Sequence, residues 1–376
     1  MQFVIWCLLQ SPRHLNSFIN VFYIRYMREG KAIKFDEKYT IRFAGEDDIE
    51  AIMKFIEKEW NENHIFAKSR DYLCYEHKFD EKVNYILAIE KDTSKIEGIL
   101  GFIEASYSEE NKDIWGVMWK VRNHNIPFLG IELMKRLMAE TKCRAEIGVG
   151  ANPKTSIPIL KMMLGFHVGK MKHSYRLNEH IEDYKIAVIK NKVICPIKPL
   201  IKQYSLKKFS NIDELTKYYD LEINKDKIPF KDKWYIKRRY FEHPVYDYLV
   251  WGVQDEFQTT RAILIGREIS LNDRKIFRII DYIGDYSMLS GLYVEFGEML
   301  YKQDYEYIDF YYYGIDDKHL SNAGFVLREE SDSNIIPNYF EPFVQENVDI
   351  WVNSSVSNVT ICKGDGDQDR PSLARE

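Results

Sequence analysis

Three stretches of this sequence carry residues that could move a proton or hold an anion. Glu104 ends the otherwise apolar run GILGFIEAS. Buried there, its pKa would rise into the range useful to a general base; at the exposed edge of a sheet it would be an ordinary solvated acid. His173 and Tyr175 lie two apart in KMKHSY, so on a strand they share a face, and His173 is a second candidate base. The third stretch is VRNHNIPFLGIELMKRLMAE, residues 121–140. An apolar strand-like run leads into it, and Ile131, Leu133, Met134, Leu137 and Met138 follow at helical spacing. Between them sit Asn123, His124, Asn125, Pro127 and a single glycine, Gly130. The first amides of a helix have no internal partner, so this turn can receive an anion, and His124 can bind that anion or accept a proton. The same pattern also serves as an ordinary strand-to-helix turn with a solvated histidine.

The scaffold for these residues becomes regular from Tyr39 onward. Residues 39–44 read as a strand and 45–60 as an acid-started helix with Ile49, Ile52, Met53 and Ile56 on one face. Residues 84–91 and 95–107 form a hairpin about the turn DTSK. Residues 113–121 are the next strand, 129–140 its helix, and 144–152 a further strand. That strand ends at Asn152, which is placed to cap the helix starting at Pro153. A turn at Gly165-Phe166 then leads into a closing strand, 168–177. The order is β, α, β, β, β, α, β, α, β.

Beyond a proline-containing, strand-rich boundary at 185–202 the order partly recurs. Strand 276–281, helix 288–303, strand 305–315 and a helix turning at Gly324-Phe325 match strand 114–121, helix 129–140, strand 144–152 and the helix before Gly165-Phe166. The offset is about 160 residues throughout, the signature of a repeat carried by order rather than identity. The expected division is an extension over 1–36, one domain over 37–184, a second copy over 185–350 and a tail over 351–376.

This order, with the strand–loop–helix around Gly130, the strand ending at Asn152 and LKMMLGF before a closing strand, resembles the GNAT superfamily of acyl-CoA-dependent N-acyltransferases. The resemblance implies an α/β (α+β) mixed sheet in two tandem GNAT-like domains. It also implies that the fourth strand splays from the fifth and that acetyl-CoA, or another acyl-CoA, lies in the gap as co-substrate. The family's pyrophosphate loop reads Gln or Arg, two residues, Gly, one residue, then Gly or Ala. The matching positions here are Pro127, Gly130 and Glu132, so only the middle glycine fits. Glu132 suits the helix dipole but opposes a pyrophosphate unless it points away.

Carried over position by position, the resemblance assigns cofactor contacts to Trp119, Val121, Asn123, Phe128, Leu129, Gly130, Ile131 and Asn152. A backbone amide within 119–121 would hold the oxyanion. Many members have a tyrosine acid four residues before the turn glycine; here that position is Lys161, and Tyr175 is the substitute. Glu104, His124 and His173 are the candidate bases, and His64 in WNENHIF would line the acceptor pocket. The second copy's loop, DYIGDYSML, carries Asp281, Asp285 and a lone Gly284. Two acids at the turn argue against a second phosphate site. The second copy is therefore expected to be degenerate and to shape the acceptor pocket, with the reverse assignment left open.

Composition narrows the function class. At 376 residues, 45% apolar and 30% charged, the chain is a globular protein long enough for two domains. A net charge of −5 argues against nucleic acid as a partner. Five cysteines without paired spacing suggest neither disulfides nor a metal site, and a reducing cytoplasm. The apolar run 3–9 is too short to span a bilayer, although Phe18, Ile19, Phe22 and Tyr23 could rest weakly on a membrane surface. KGDGDQDRP alternates Asp365, Asp367 and Asp369 like a calcium loop, but Gln368 and Arg370 break that pattern and no glutamate closes it. It is expected to be an acidic tail, or to fold back onto the second copy.

The expected function is N-acyl transfer, with acetyl as the acyl group, to a small amine such as a nucleotide-linked amino sugar of surface-polysaccharide synthesis. Two alternatives stay open. The missing loop glycine and tyrosine keep a non-catalytic tandem scaffold alive. A peptidoglycan-bridge transferase using aminoacyl-tRNA is disfavoured by the net charge and by the lack of a long coiled arm.

Overall fold

The computed structural model describes residues 34–122, 127–194 and 203–372. The surface-contact helix expected near the N-terminus falls within 1–33, outside the described residues. From Tyr39 on, the periodicities become elements. Strand β1 (Tyr39–Gly45) enters helix α1 (Ile49–Glu59), whose Ile49, Ile52, Phe55 and Ile56 are all buried at three- and four-residue spacing. Each such side chain contributes roughly 1.5–3 kcal/mol of burial. Helix α2 (Arg70–His77) follows, begun by the Ser69 hydroxyl accepting the Tyr72 amide at 3.2 Å. The chain then forms β2 (Lys82–Glu90), β3 (Ile96–Glu104), β4 (Asp113–Val121), α3 (Leu129–Thr141), β5 (Ala145–Val149) and α4 (Ser156–Met163).

The closing strand expected at 168–177 is two strands. β6 (His167–Lys170) and β7 (Lys172–Leu177) are separated only by Met171, and they lie in different sheets. The second half supplies β8 (Ser205–Phe209), α5 (Ile212–Tyr218), β9 (Leu249–Gln254), β10 (Thr260–Leu271) and β11 (Arg274–Gly284). Then come α6 (Tyr293–Gln303), β12 (Tyr305–Tyr313), α7 (Asp317–Asn322), β13 (Val326–Leu327), β14 (Trp351–Ser354) and β15 (Ile361–Cys362).

The two sheets repeat one plan. The first runs β1-β2-β3-β4-β5-β14-β6 and the second β8-β9-β10-β11-β12-β7-β13. In each, three antiparallel pairings lead to one parallel pair, β4 with β5 and β11 with β12. Beyond that pair sits a strand donated by the other half, β14 in the first sheet and β7 in the second. Chain order and sheet membership thus part at two places. Residues 172–177 precede the boundary expected at 184/185 yet pair with β12, and 351–354, expected to open a tail, pair with β5 and β6.

The tail expectation over 351–376 is corrected as far as Ser372. Trp351 to Ser354 form the strand β14, and Ile361 to Gly366 are buried. The apolar surface of both sheets explains the exchange. A core that includes Phe55, Trp115 and Met118 from the first half and Phe209, Ile263 and Ile280 from the second is continuous between them. Among the described residues no helix is long and apolar enough to cross a membrane.

Candidate functional site

Parallel strands β4 and β5 are paired only at Asp113/Ala145, Ile114/Glu146 and Trp115/Ile147, and then separate. Just past the separation β4 bulges. Ile99 faces Lys120 and Gly101 faces Val117, so Leu100 alone lies opposite Met118 and Trp119. Met118 takes φ +53°, a left-handed conformation that costs a non-glycine residue on the order of 1–2 kcal/mol. A bulge removes its extra residue from the ladder, which leaves backbone at 118–119 available at the opening.

A cleft of about 350 Å³ occupies the gap, lined by Leu100, Gly116, Met134, Glu146, Asn152 and Leu160 among others. A larger chamber of about 480 Å³ adjoins it, walled by the loop after α1, by Tyr246 and Arg267, and by Asp367 to Ser372. Four residues line both spaces: Trp60, Met118, Asp367 and Gln368.

The matching gap in the second sheet is filled. β15 pairs with the end of β12 at Tyr313/Ile361 and Tyr312/Cys362, and the Gly364 amide donates to the Ile280 carbonyl of β11 at 2.7 Å. Below the wedge, Lys231 lies 2.6 Å from Asp281 and 2.6 Å from Asp365, all three buried.

No protein-family profile and no curated protein sequence matches this chain. Solved structures do. A GCN5-related N-acetyltransferase from Anabaena variabilis superposes with a TM-score of 0.52 over 84% of this chain and 72% of that one, at 11% identity. The chain carries the GNAT fold twice. A probable N-acyltransferase from Enterococcus faecalis gives a TM-score of 0.49 at 9% identity, over 84% of this chain and 71% of that one. N-myristoyltransferase of Saccharomyces cerevisiae with bound myristoyl-CoA gives 0.39 at 9% identity, over 72% of each chain.

Asn123 and His124 lie outside the described residues. Phe128, at φ +71°, turns the chain into α3. The side chains of Leu129 and Ile131 are buried in the core, so they can offer a ligand only their backbone. Trp119 lays its indole on the first turn of α3, with Nε1 donating to the Gly130 carbonyl at 3.1 Å. A Cβ on Gly130 would come within 3.1–3.3 Å of that ring, so the glycine accommodates tryptophan. Glu132 reaches forward along the helix to Arg136 at 2.7 Å, away from the loop. Val121 is half-buried beside the α3 core. Asn152 lines the cleft while its Oδ1 accepts the Lys154 and Thr155 amides at 2.9 and 3.3 Å; it thus holds the turn ahead of α4, which starts at Ser156 rather than Pro153 and has no side-chain cap.

Three of the proton-transfer candidates sit away from the gap. Glu104 pairs with Ile114 at the start of β4, before the strands diverge, and lines neither space; Lys112 lies 3.5 Å away, and burial raises its pKa. His173 and Tyr175 travel with β7 into the second sheet. His173 binds Asp309 at 2.9 Å and stacks on Tyr311 at 3.7 Å, and burial lowers it to about 4. The Tyr175 hydroxyl donates to Asp332 at 2.9 Å and accepts from Asn334, and burial raises it to about 12. His64 does line the larger chamber. Its Nδ1 accepts the Phe66 amide at 3.1 Å, which leaves Nε2 as a donor, and burial lowers it to about 4.

The gap instead presents Glu146, Asp367 and Gln368. Glu146 comes from an apolar strand in which a single carboxylate gave no signal of its partner. It takes the space left by the missing Cβ of Gly116, and burial lifts it to about 8 against the pull of the Gly116 amide. It is therefore uncharged at neutral pH. Because its folded pKa exceeds the ordinary value of 4.5, the stability it allows is complete below about pH 4.5 and is lost as pH rises through about 8. Glu146→Gln removes that loss, so relative to the unsubstituted protein it should gain roughly 3–5 kcal/mol between pH 5 and pH 9. Urea unfolding at the two pH values checks this; parallel pH slopes would mean that the carboxyl is solvated.

Proposed function

We propose that this protein is an acyl-CoA-dependent N-acyltransferase that acetylates a small amine. The observation that carries this reading is the pair of adjoining spaces meeting at Met118 and Asp367, one in the strand gap and one between the copies. The donor thioester would enter the gap and the amine the larger chamber, so that they meet at the bulge.

Transfer needs a proton acceptor, a donor to the oxyanion and an acid for the leaving thiolate. The uncharged amine attacks the thioester carbon, and the carbonyl electrons move onto oxygen, which an amide at 118–119 stabilises. Asp367 takes the proton released from nitrogen. The carbon–sulfur bond then breaks, and the thiolate takes a proton from Glu146. Solvent returns a proton to Glu146 and receives one from Asp367. Glu146 also bears on acyl length: a long alkyl chain beside it would bury a carboxyl without a partner, at a cost that acetyl avoids. Gln368 Nε2 now donates to the Val149 carbonyl at 3.2 Å, on the β5 edge that β4 has left. A pantetheine amide would take that carbonyl, so Gln368 would yield it on donor binding.

Calorimetric titration with desulfo-CoA tests the donor site. Ser156→Trp, at the start of α4 in the cleft wall, should weaken binding at least 10-fold with little change in Tm, a loss of about 1.4 kcal/mol. Lys318→Trp, near the start of α7 in the filled copy, should leave it unchanged. If the unsubstituted protein binds neither desulfo-CoA nor acetyl-CoA, the scaffold alternative gains and the transferase reading fails.

A further inference from the structure

The larger chamber has a wall that acyl transfer leaves unused. Arg267 of β10, Asn338 and Lys363 form it, and they are only 9%, 4% and 2% exposed. Arg267 stacks on the Tyr246 ring at 3.8 Å and gives one terminal nitrogen to Asp369 at 2.8 Å, but its buried Nε–H has no acceptor in the protein. Asn338 turns both its carbonyl oxygens toward Arg278, at 2.8 and 3.3 Å, which orients its side-chain amide. Its Nδ2 turns to the Tyr339 phenol. Lys363 donates to the Gln368 carbonyl at 2.7 Å and lies 5.7 Å over the Tyr311 ring. An ammonium has three N–H groups, so donors remain. Buried donors without acceptors are rare in native proteins and call for a ligand, an ion or a water to complete them.

We infer that this wall is a subsite for the carboxylate of the acceptor, so that the amine acetylated is that of an amino acid; this rests on the acyltransferase reading above. The wall's charges favour a monoanion over a dianion. Asp369 neutralises Arg267, and Arg370 is held by Glu76 and Asp367, which leaves Lys363 as the wall's unpaired cation. Glu341, which accepts from the Tyr246 hydroxyl at 2.9 Å, adds a further negative charge to the chamber. A phosphate monoester, or the diphosphate of a nucleotide sugar, brings about two charges against that one cation and repels the three carboxylates. Burial lowers Lys363 to about 7, and an adjacent anion restores its charged form. Trp60 and Tyr339 flank the same chamber and can cover an amino-acid side chain.

The test is calorimetry on the full chain without donor, using the twenty L-amino acids, their carboxamides, UDP-glucosamine and inorganic phosphate. At least one amino acid should bind, with its carboxamide at least 10-fold weaker. Lys363→Met should bring the acid down to the carboxamide level while the desulfo-CoA affinity stays unchanged. Asn338→Ala serves as the second variant if Lys363→Met does not fold, and should weaken the acid at least 3-fold. Equal binding of acid and carboxamide, no binding by any amino acid, or preference for phosphate or UDP-glucosamine overturns the inference while desulfo-CoA still binds. Loss of desulfo-CoA binding in the unsubstituted protein strikes the underlying reading instead.

Discussion

Asp367→Asn should lower kcat/KM for acetyl transfer by about 100- to 10,000-fold, the range lost when a positioned proton acceptor is removed. Asp367 lies where the two spaces join, and its neighbour Arg370 is fixed by Glu76. Asparagine keeps the shape and can still accept from Arg370, 3.2 Å away. The donor KM, the desulfo-CoA affinity and Tm should therefore change little, so the effect falls on kcat. Release of free thiol from acetyl-CoA, followed with the amine saturating, measures it. A loss smaller than 3-fold would assign proton removal to solvent.

Lys231→Met is expected to cost about 3–5 kcal/mol of stability, the penalty for breaking a buried ion pair from one side. Asp281 and Asp365 would be left facing each other in the core, with the Tyr240 hydroxyl, 2.7 Å from Asp281, as the nearest compensation. Urea unfolding reads the loss directly. The substitution should also reach the site, because Asp365 is two residues from Asp367 and anchors the segment that fills the second gap. Amide exchange within 361–369 should speed up more than in β2 and β3, and transfer activity should fall in parallel. Replacing both aspartates by asparagine in the Lys231→Met background should recover much of the stability, since no buried charge then lacks its partner. A cost below 1 kcal/mol would mean that water reaches the cluster.

Local pattern carried much of the fold. Ile49, Ile52 and Ile56 repeat at helical spacing and are buried in α1; Leu133, Met134 and Leu137 do the same in α3. The parallel pair flanking Gly130 and its counterpart about 160 residues on both exist. Asp281 and Asp285, expected only to keep a phosphate from that turn, each have a structural use. Asp281 binds Lys231 under the wedge, and Asp285 caps the turn after β11 by accepting from Ser287 at 2.9 Å. The candidate site was less legible. His173 and Tyr175 do share a strand, yet that strand belongs to the second sheet. An extended chain that leaves one sheet for another keeps its period of two, so nothing in KMKHSY marks the crossing. Glu104, left open between a buried and an exposed-edge reading, is partly buried at the end of β3, and nothing local in the sequence places it relative to the gap beyond β4.

The sequence by itself determined the elements, their repetition and the strand–loop–helix around Gly130, because these follow from spacing within a few turns of chain. Only the tertiary structure decided which copy keeps an open gap. The two GNAT copies have the same strand order, and the difference comes from residues 361–364 entering the second gap while Asp367 and Gln368 border the first. That choice depends on Lys231 meeting Asp281 and Asp365, and on Gln368 meeting Val149, 219 positions away. Such contacts form because each half exposes an apolar sheet edge that the other half's strand covers. Neither the edge nor its cover has a local signature, so an aspartate in an apparent acidic tail becomes the carboxylate at the junction.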